Sequence, residues 1–77
     1  MAELGPKMRD GLTVFAIRSA NPWLPFADEL LINKGYPPKV ADSIISRLAR
    51  RGWIEYGVSA RTGWLTPEGR AMLRSIT

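Results

Sequence analysis

Between Pro38 and Gly52 the chain carries Lys39, Asp42, Ser43, Ser46, Arg47 and Arg50 at spacings that bring them to one side of a helix. Together they offer ammonium, guanidinium and hydroxyl donors beside a single carboxylate. Such a set can present hydrogen bonds and positive charge to a ligand. The chain has no histidine and no cysteine, so it lacks the commonest general base, a thiolate nucleophile and a sulfur-ligated metal site. Its carboxylates are scattered, with no paired-acid motif, phosphate-cradling glycine loop or metal-ligand spacing. No enzyme activity, metal or other cofactor is expected. The placement of charge is more telling than its net value of +4. Residues 1–38 balance Lys7, Arg9, Arg18 and Lys34 against Glu3, Asp10, Asp28 and Glu29. Residues 39–77 hold all the excess, in Lys39, Arg47, Arg50, Arg51, Arg61, Arg70 and Arg74. A one-sided basic surface suits a polyanion, either a nucleic acid or an anionic membrane.

The length, 77 residues, allows a single domain spanning 1–77. At 45% hydrophobic and 23% charged the composition is that of a globular chain. No apolar run approaches the roughly 18 residues that a membrane span needs. The opening Met-Ala-Glu-Leu-Gly lacks a basic stretch followed by an apolar one, so no signal peptide is expected and the cytoplasm is the expected compartment.

Proline and glycine divide the chain into short elements. Pro6 suits a first helical turn, and Met8, Leu12, Phe15 and Ala16 follow at helical spacing. Asn21-Pro22 ends that helix. Trp23-Leu24, between prolines, reads as a connector with room for one edge pairing. Pro25 opens a second helix that buries Phe26, Leu30 and Leu31 and ends at Gly35. Tyr36-Pro37-Pro38 makes a tight turn into a third helix, whose stripe of Val40, Ala41, Ile44, Ile45 and Leu48 is the clearest periodic signal in the chain. Gly52 stops it. The period then becomes alternating: Ile54, Tyr56 and Val58 fall on one face of a strand, Trp53 and Glu55 on the other. A loop bounded by Gly57 and Gly63 leads to a second strand, Trp64-Leu65-Thr66. Thr66 is a natural N-cap, with Pro67 at the first helical position of a short last helix that buries Ala71, Met72, Leu73 and Ile76. A two-stranded hairpin is marginal alone. Ile54, Tyr56 and Leu65 are therefore expected to share one core with Phe15, Leu30, Ile44 and Leu48. The fold class is α+β: a three-helix core, a two-stranded β-hairpin and a short C-terminal helix.

Two stretches resemble the winged helix-turn-helix core of the MarR and ArsR types of bacterial and phage regulator. One runs from Gly35 to Gly52, with Ala41, Ile45 and Leu48 at the apolar positions. The other is Gly52-Trp53-Ile54-Glu55, then a basic loop with glycines, then Leu65-Thr66-Pro67-Glu68-Gly69-Arg70. The resemblance covers roughly residues 25–73. In place of the family's usual Ser or Thr cap on the recognition helix, this chain has Pro37. No effector pocket or metal-sensing residue is evident, and the regulators' long dimerisation helices have no counterpart.

The resemblance implies sequence-specific binding of double-stranded DNA, with a recognition helix at about 38–51 in the major groove. A wing at about 57–63 would meet the minor groove or the backbone. Arg47 would pair with guanine, Ser43 would reach a base or a phosphate, Ser46 would share that face, and Lys39 would meet a phosphate. Asp42 would accept from a cytosine amino group or repel wrong placements. Arg50 and Arg51 would add phosphate contacts, although both also suit the negative end of the helix dipole. Arg61 and Thr62 would lie on the wing. One small module buries limited area on DNA, so a homodimer or cooperative oligomer is expected. Trp23 and Trp64 are candidates for its contact surface. The role would be that of a small transcriptional regulator, or an architectural factor of the excisionase sort, in the nucleoid. The alternative is a protein-binding winged helix that acts as an interaction module or an inhibitor of host machinery. No membrane role is expected, because the apolar helix faces are needed for the core.

Overall fold

Helix α1 spans Pro6–Ala20, with Gly5 as its N-cap and Pro6 at its first position. Met8, Leu12 and Phe15 are buried as the spacing predicts, and Val14 joins them. In this computed structural model residues 4–59 and 62–76 are described. The helix ends at Asn21, whose backbone N–H and side-chain amide both donate to the Ile17 carbonyl. Among the described residues Trp23 and Leu24 form no strand. They sit instead in a turn closed by the Leu24 N–H on the Asn21 carbonyl, at 3.0 Å. The flanking prolines remove ladder donors, which disfavours the edge pairing allowed by the sequence.

Helix α2 runs over Ala27–Asn33, later than the expected start at Pro25. Glu29 sets the boundary: its Oε2 accepts the Phe26 N–H at 3.2 Å, which makes Phe26 the N-cap. Phe26 is therefore not a core residue. It is 39% exposed, with the Arg18 guanidinium 5.6 Å from its ring centre. Ala27 and Leu31 take the buried face, and Leu30 is half-buried.

Helix α3 spans Pro38–Arg50. The helices on either side of the 34–37 turn end in the same way. After α2, Gly35 adopts φ 115°, its N–H bonds the Ile32 carbonyl, and the Tyr36 N–H bonds the Leu31 carbonyl. After α3, Gly52 adopts φ 75°, its N–H bonds the Ala49 carbonyl, and the Trp53 N–H bonds the Leu48 carbonyl. Both are Schellman caps, which satisfy the last carbonyls and turn the next residue back over the helix. The two aromatic residues are thereby aimed. Tyr36 donates its hydroxyl to Asp10 Oδ2 at 2.6 Å, and Trp53 is buried.

Strands β1, Ile54–Glu55, and β2, Trp64–Leu65, pair antiparallel, with Ile54 opposite Leu65 and Glu55 opposite Trp64. The alternation expected through Val58 does not continue. Tyr56 is 48% exposed and Val58 fully exposed, so neither belongs to the core. The register places Gly63 opposite Tyr56, and pairing stops at this residue without a side chain. At the other end the ladder extends by one bond, from the Thr66 N–H to the Trp53 carbonyl.

Helix α4, Pro67–Ile76, starts from Thr66 as predicted. Thr66 Oγ1 accepts the Gly69 N–H at 3.0 Å and donates to the Gly52 carbonyl at 2.6 Å. One buried hydroxyl thus ties the end of α3 to the start of α4. Gly69 fits closely beneath: a Cβ there would collide with the Trp53 carbonyl. The core gathers Met8, Leu12, Phe15, Leu31, Ile44, Leu48, Trp53, Ile54 and Leu65. Gly11 lets α1 lie directly on α3, since a Cβ would come within 2.7 Å of Ile44 Cγ2.

Candidate nucleic-acid interface

The chemistry-bearing face of α3 follows from what the helix buries. Ala41, Ile44, Ile45 and Leu48 point into the body. With 3.6 residues per turn, Lys39, Ser43, Ser46 and Arg50 then lie opposite that stripe, with Asp42 and Arg47 at its two margins. All six are exposed. None of their side chains makes a hydrogen bond or ion pair with another described residue. An ion pair from Lys34 Nζ to Asp10 Oδ1, at 3.9 Å, lies elsewhere. The donors on α3 are therefore unspent.

At its N-terminus α3 has Pro37 as N-cap, Pro38 in the first turn and no side-chain cap. The first helical bond runs from the Ala41 N–H to the Pro37 carbonyl, at 2.9 Å. The backbone N–H groups of Lys39 and Val40 precede it and have no helical acceptor. At the C-terminus the Arg51 guanidinium lies over the Trp53 ring, 5.1 Å from its centre. Arg51 is thus exposed yet held.

A groove borders each flank of this face. On the hairpin side it is lined by Ser46, Ala49, Arg50 and Tyr56, with a volume of about 350 Å³. On the α1 side a larger one of about 580 Å³ includes Lys7, Tyr36, Arg47, Arg51 and Trp53. No carboxylate lines either groove among the described residues.

Of the two hairpin-loop residues expected to meet DNA, Thr62 is exposed, and its hydroxyl and backbone N–H both donate to the Ser59 carbonyl, at 2.9 and 3.1 Å. Arg61 lies outside the described residues. Trp23 and Trp64 are exposed, at 77% and 48%. The reading of the sequence missed Tyr56 and Lys7 as neighbours of the α3 face. Tyr56 was drawn into the core by strand alternation, and Lys7 lies in the half of the chain whose charges cancel. For Tyr56, Gly57 behind it and Gly63 across the loop were signals that pairing would be short.

Tyr36 is displaced in its titration. Its pKa is raised above 10, first by the hydrogen bond to Asp10, then by burial and by repulsion from that carboxylate. No cluster of three or more His, Cys, Asp or Glu that could hold a metal occurs among the described residues. None of the described helices is long and apolar enough to cross a membrane. No protein-family model, curated protein or solved structure matches this chain.

Proposed function

We propose that the protein is a winged helix-turn-helix module that binds double-stranded DNA sequence-specifically, with α3 as the recognition helix. The observation that carries this reading is the outward face of α3: Lys39, Ser43, Ser46, Arg47 and Arg50 are exposed, unpaired and covered by no part of the described chain. Two features support it. Helices α2 and α3 are joined through residues 34–37, a short glycine-containing turn of the kind that a helix-turn-helix uses. A helix of ordinary diameter also fits the roughly 12 Å major groove. In this reading Arg47 pairs with guanine, Ser43 and Ser46 reach bases or phosphates, and Asp42 selects against wrong placements. Lys39, Arg50 and Arg51 neutralise backbone, while Arg61 and Thr62 of the hairpin loop meet the flanking minor groove or phosphates. The role is that of a small transcriptional regulator or an excisionase-like architectural factor associated with the nucleoid. It acts on DNA as a homodimer or a cooperative oligomer.

The test is selection from random duplex DNA, followed by affinity against salt. A recovered motif and a log–log slope of about −0.9 per phosphate support the reading. Arg47→Ala is expected to relax preference at one base position, at a cost of about 1–3 kcal/mol. A flat salt response with no recovered motif overturns it. A second reading, a protein-binding winged helix, is favoured by the exposure of Trp23 and Trp64, since exposed tryptophan is enriched at protein interfaces. Flat duplex affinity, together with a partner whose binding is lost in Trp23→Ala or Trp64→Ala, would select it.

A further inference from the structure

From the groove between α1 and α3 we infer a phosphodiester site, in which Lys7 and Arg51 jointly hold one backbone phosphate of the duplex. The inference rests on the DNA-binding reading and extends it, because it brings α1 into the interface and fixes how the duplex crosses the protein.

Lys7 and Arg51 come from opposite ends of two different helices, yet both line the same groove of about 580 Å³. Arg47 also lines the groove, is exposed, and lies at the margin of the outward face of α3. Leu4, Met8, Trp53 and Met72 also line it, so much of its wall is apolar. Apolar walls lower the local dielectric and strengthen attraction for an anion. No carboxylate lines the groove among the described residues. Asp10, the partner of the lining residue Tyr36, is engaged by the Tyr36 hydroxyl and by Lys34.

Two further features prepare the site for a phosphate. The Trp53 ring holds the Arg51 guanidinium, so less side-chain entropy is lost on binding. The N-terminus of α1 also opens here, through Gly5, Pro6, Lys7 and Met8. The first bond of α1 runs from the Arg9 N–H to the Gly5 carbonyl, so the Lys7 and Met8 amides have no helical acceptor. Those amides and the positive end of the helix dipole add to the two side chains. A helix lying in the major groove has a phosphate strand on each flank. The hairpin-side groove with Arg50 faces one strand, and the Lys7–Arg51 groove takes the other.

The experiment uses the full chain and a short duplex of mixed sequence, with affinity measured across a salt series. Lys7→Gln and Arg51→Gln are each expected to weaken all duplexes evenly and to lower the log–log salt slope by about 1. Arg9→Gln, on another face of the same helix, is the control and should leave the slope nearly unchanged. In a scan of duplexes with single methylphosphonate linkages, one neutral linkage should make both Lys7→Gln and Arg51→Gln silent. Thermal melting verifies that each variant folds; Lys7 is exposed and its loss disturbs no core contact. The site is overturned if wild-type binding is salt-dependent while Lys7→Gln has the wild-type slope. It is overturned equally if Arg9→Gln lowers the slope as much as Lys7→Gln does, or if the two variants are silenced by different linkages. Absence of any salt-dependent duplex affinity in the wild type overturns the DNA reading, and the phosphate site with it.

Discussion

Leu12, Leu31, Ala41 and Leu48, all in the body built from α1, α2 and α3, expose no surface, whereas Tyr56, Val58 and Trp64 of the hairpin are 48%, 100% and 48% exposed. The body is held by interlocking apolar side chains and by two glycine-capped turns. The hairpin is held by two residue pairs and by what Ile54 and Leu65 reach beneath it. The candidate DNA-reading face therefore sits on the deeply packed region. A preorganised helix loses little entropy on docking.

This contrast can be broken or sharpened by substitution. The largest effect is expected in the body: Leu48→Ala should lose about 2–5 kcal/mol by denaturant titration, because the side chain is fully enclosed beneath α1. A loss below about 1 kcal/mol would mean that α1 and α3 are less tightly packed than the geometry shows. The seam between body and hairpin comes next. Thr66→Ala removes the cap of α4 and strands the Gly52 carbonyl, for a loss of about 1–3 kcal/mol. Thr66→Ser should restore most of it. Gly11→Ala separates two opposing terms: crowding against Ile44 and Leu48 costs about 1–3 kcal/mol, while helix propensity returns about 1. The expected net is a small loss, and a gain in melting temperature would show that the α1–α3 contact yields. The smallest effect is expected in the hairpin, where Val58→Ser should change stability by no more than about 0.5 kcal/mol.

A pH series tests the other polar tie of the body. The Tyr36 pKa is raised in the folded state, so the folded chain keeps a proton that the unfolded chain releases above pH 10. The stability from the Tyr36–Asp10 bond is thus present below pH 10 and declines as pH rises through the raised value. Tyr36→Phe should be less stable near neutral pH, and its stability should fall less steeply above pH 10. Parallel curves for the two proteins would show that the bond does not govern this pH range.

Much of the helical framework was legible in residue order. Gly35 and Gly52 mark both helix ends because few other residues adopt positive φ at low cost. The Thr66-Pro67 signal located the start of α4 because a hydroxyl cap and a first-turn proline act within a few residues of chain. The stripe Ala41, Ile44, Ile45 and Leu48 located both the buried and the outward face of α3. The errors fell where a local rule met a neighbour. Phe26 has the apolarity of a core residue, but it serves as the N-cap of α2, its N–H held by Glu29, and is 39% exposed. Tyr56 continues the alternation of Ile54, yet faces Gly63, so the pairing that would have turned it inward ends.

Sequence alone set where helices begin and stop, which side of α3 is apolar, and in which half the positive charge accumulates, since these depend on backbone preference and on spacing along one element. The tertiary structure alone decided that Lys7 of α1 and Arg51, the C-cap of α3, line one groove, that Trp53 lies under a guanidinium, and that one threonine hydroxyl joins two helices. Those are meetings between residues far apart in the chain. They arise only when packing of the shared core fixes how α1, α3 and the hairpin lie across one another, a geometry that no single element's periodicity contains.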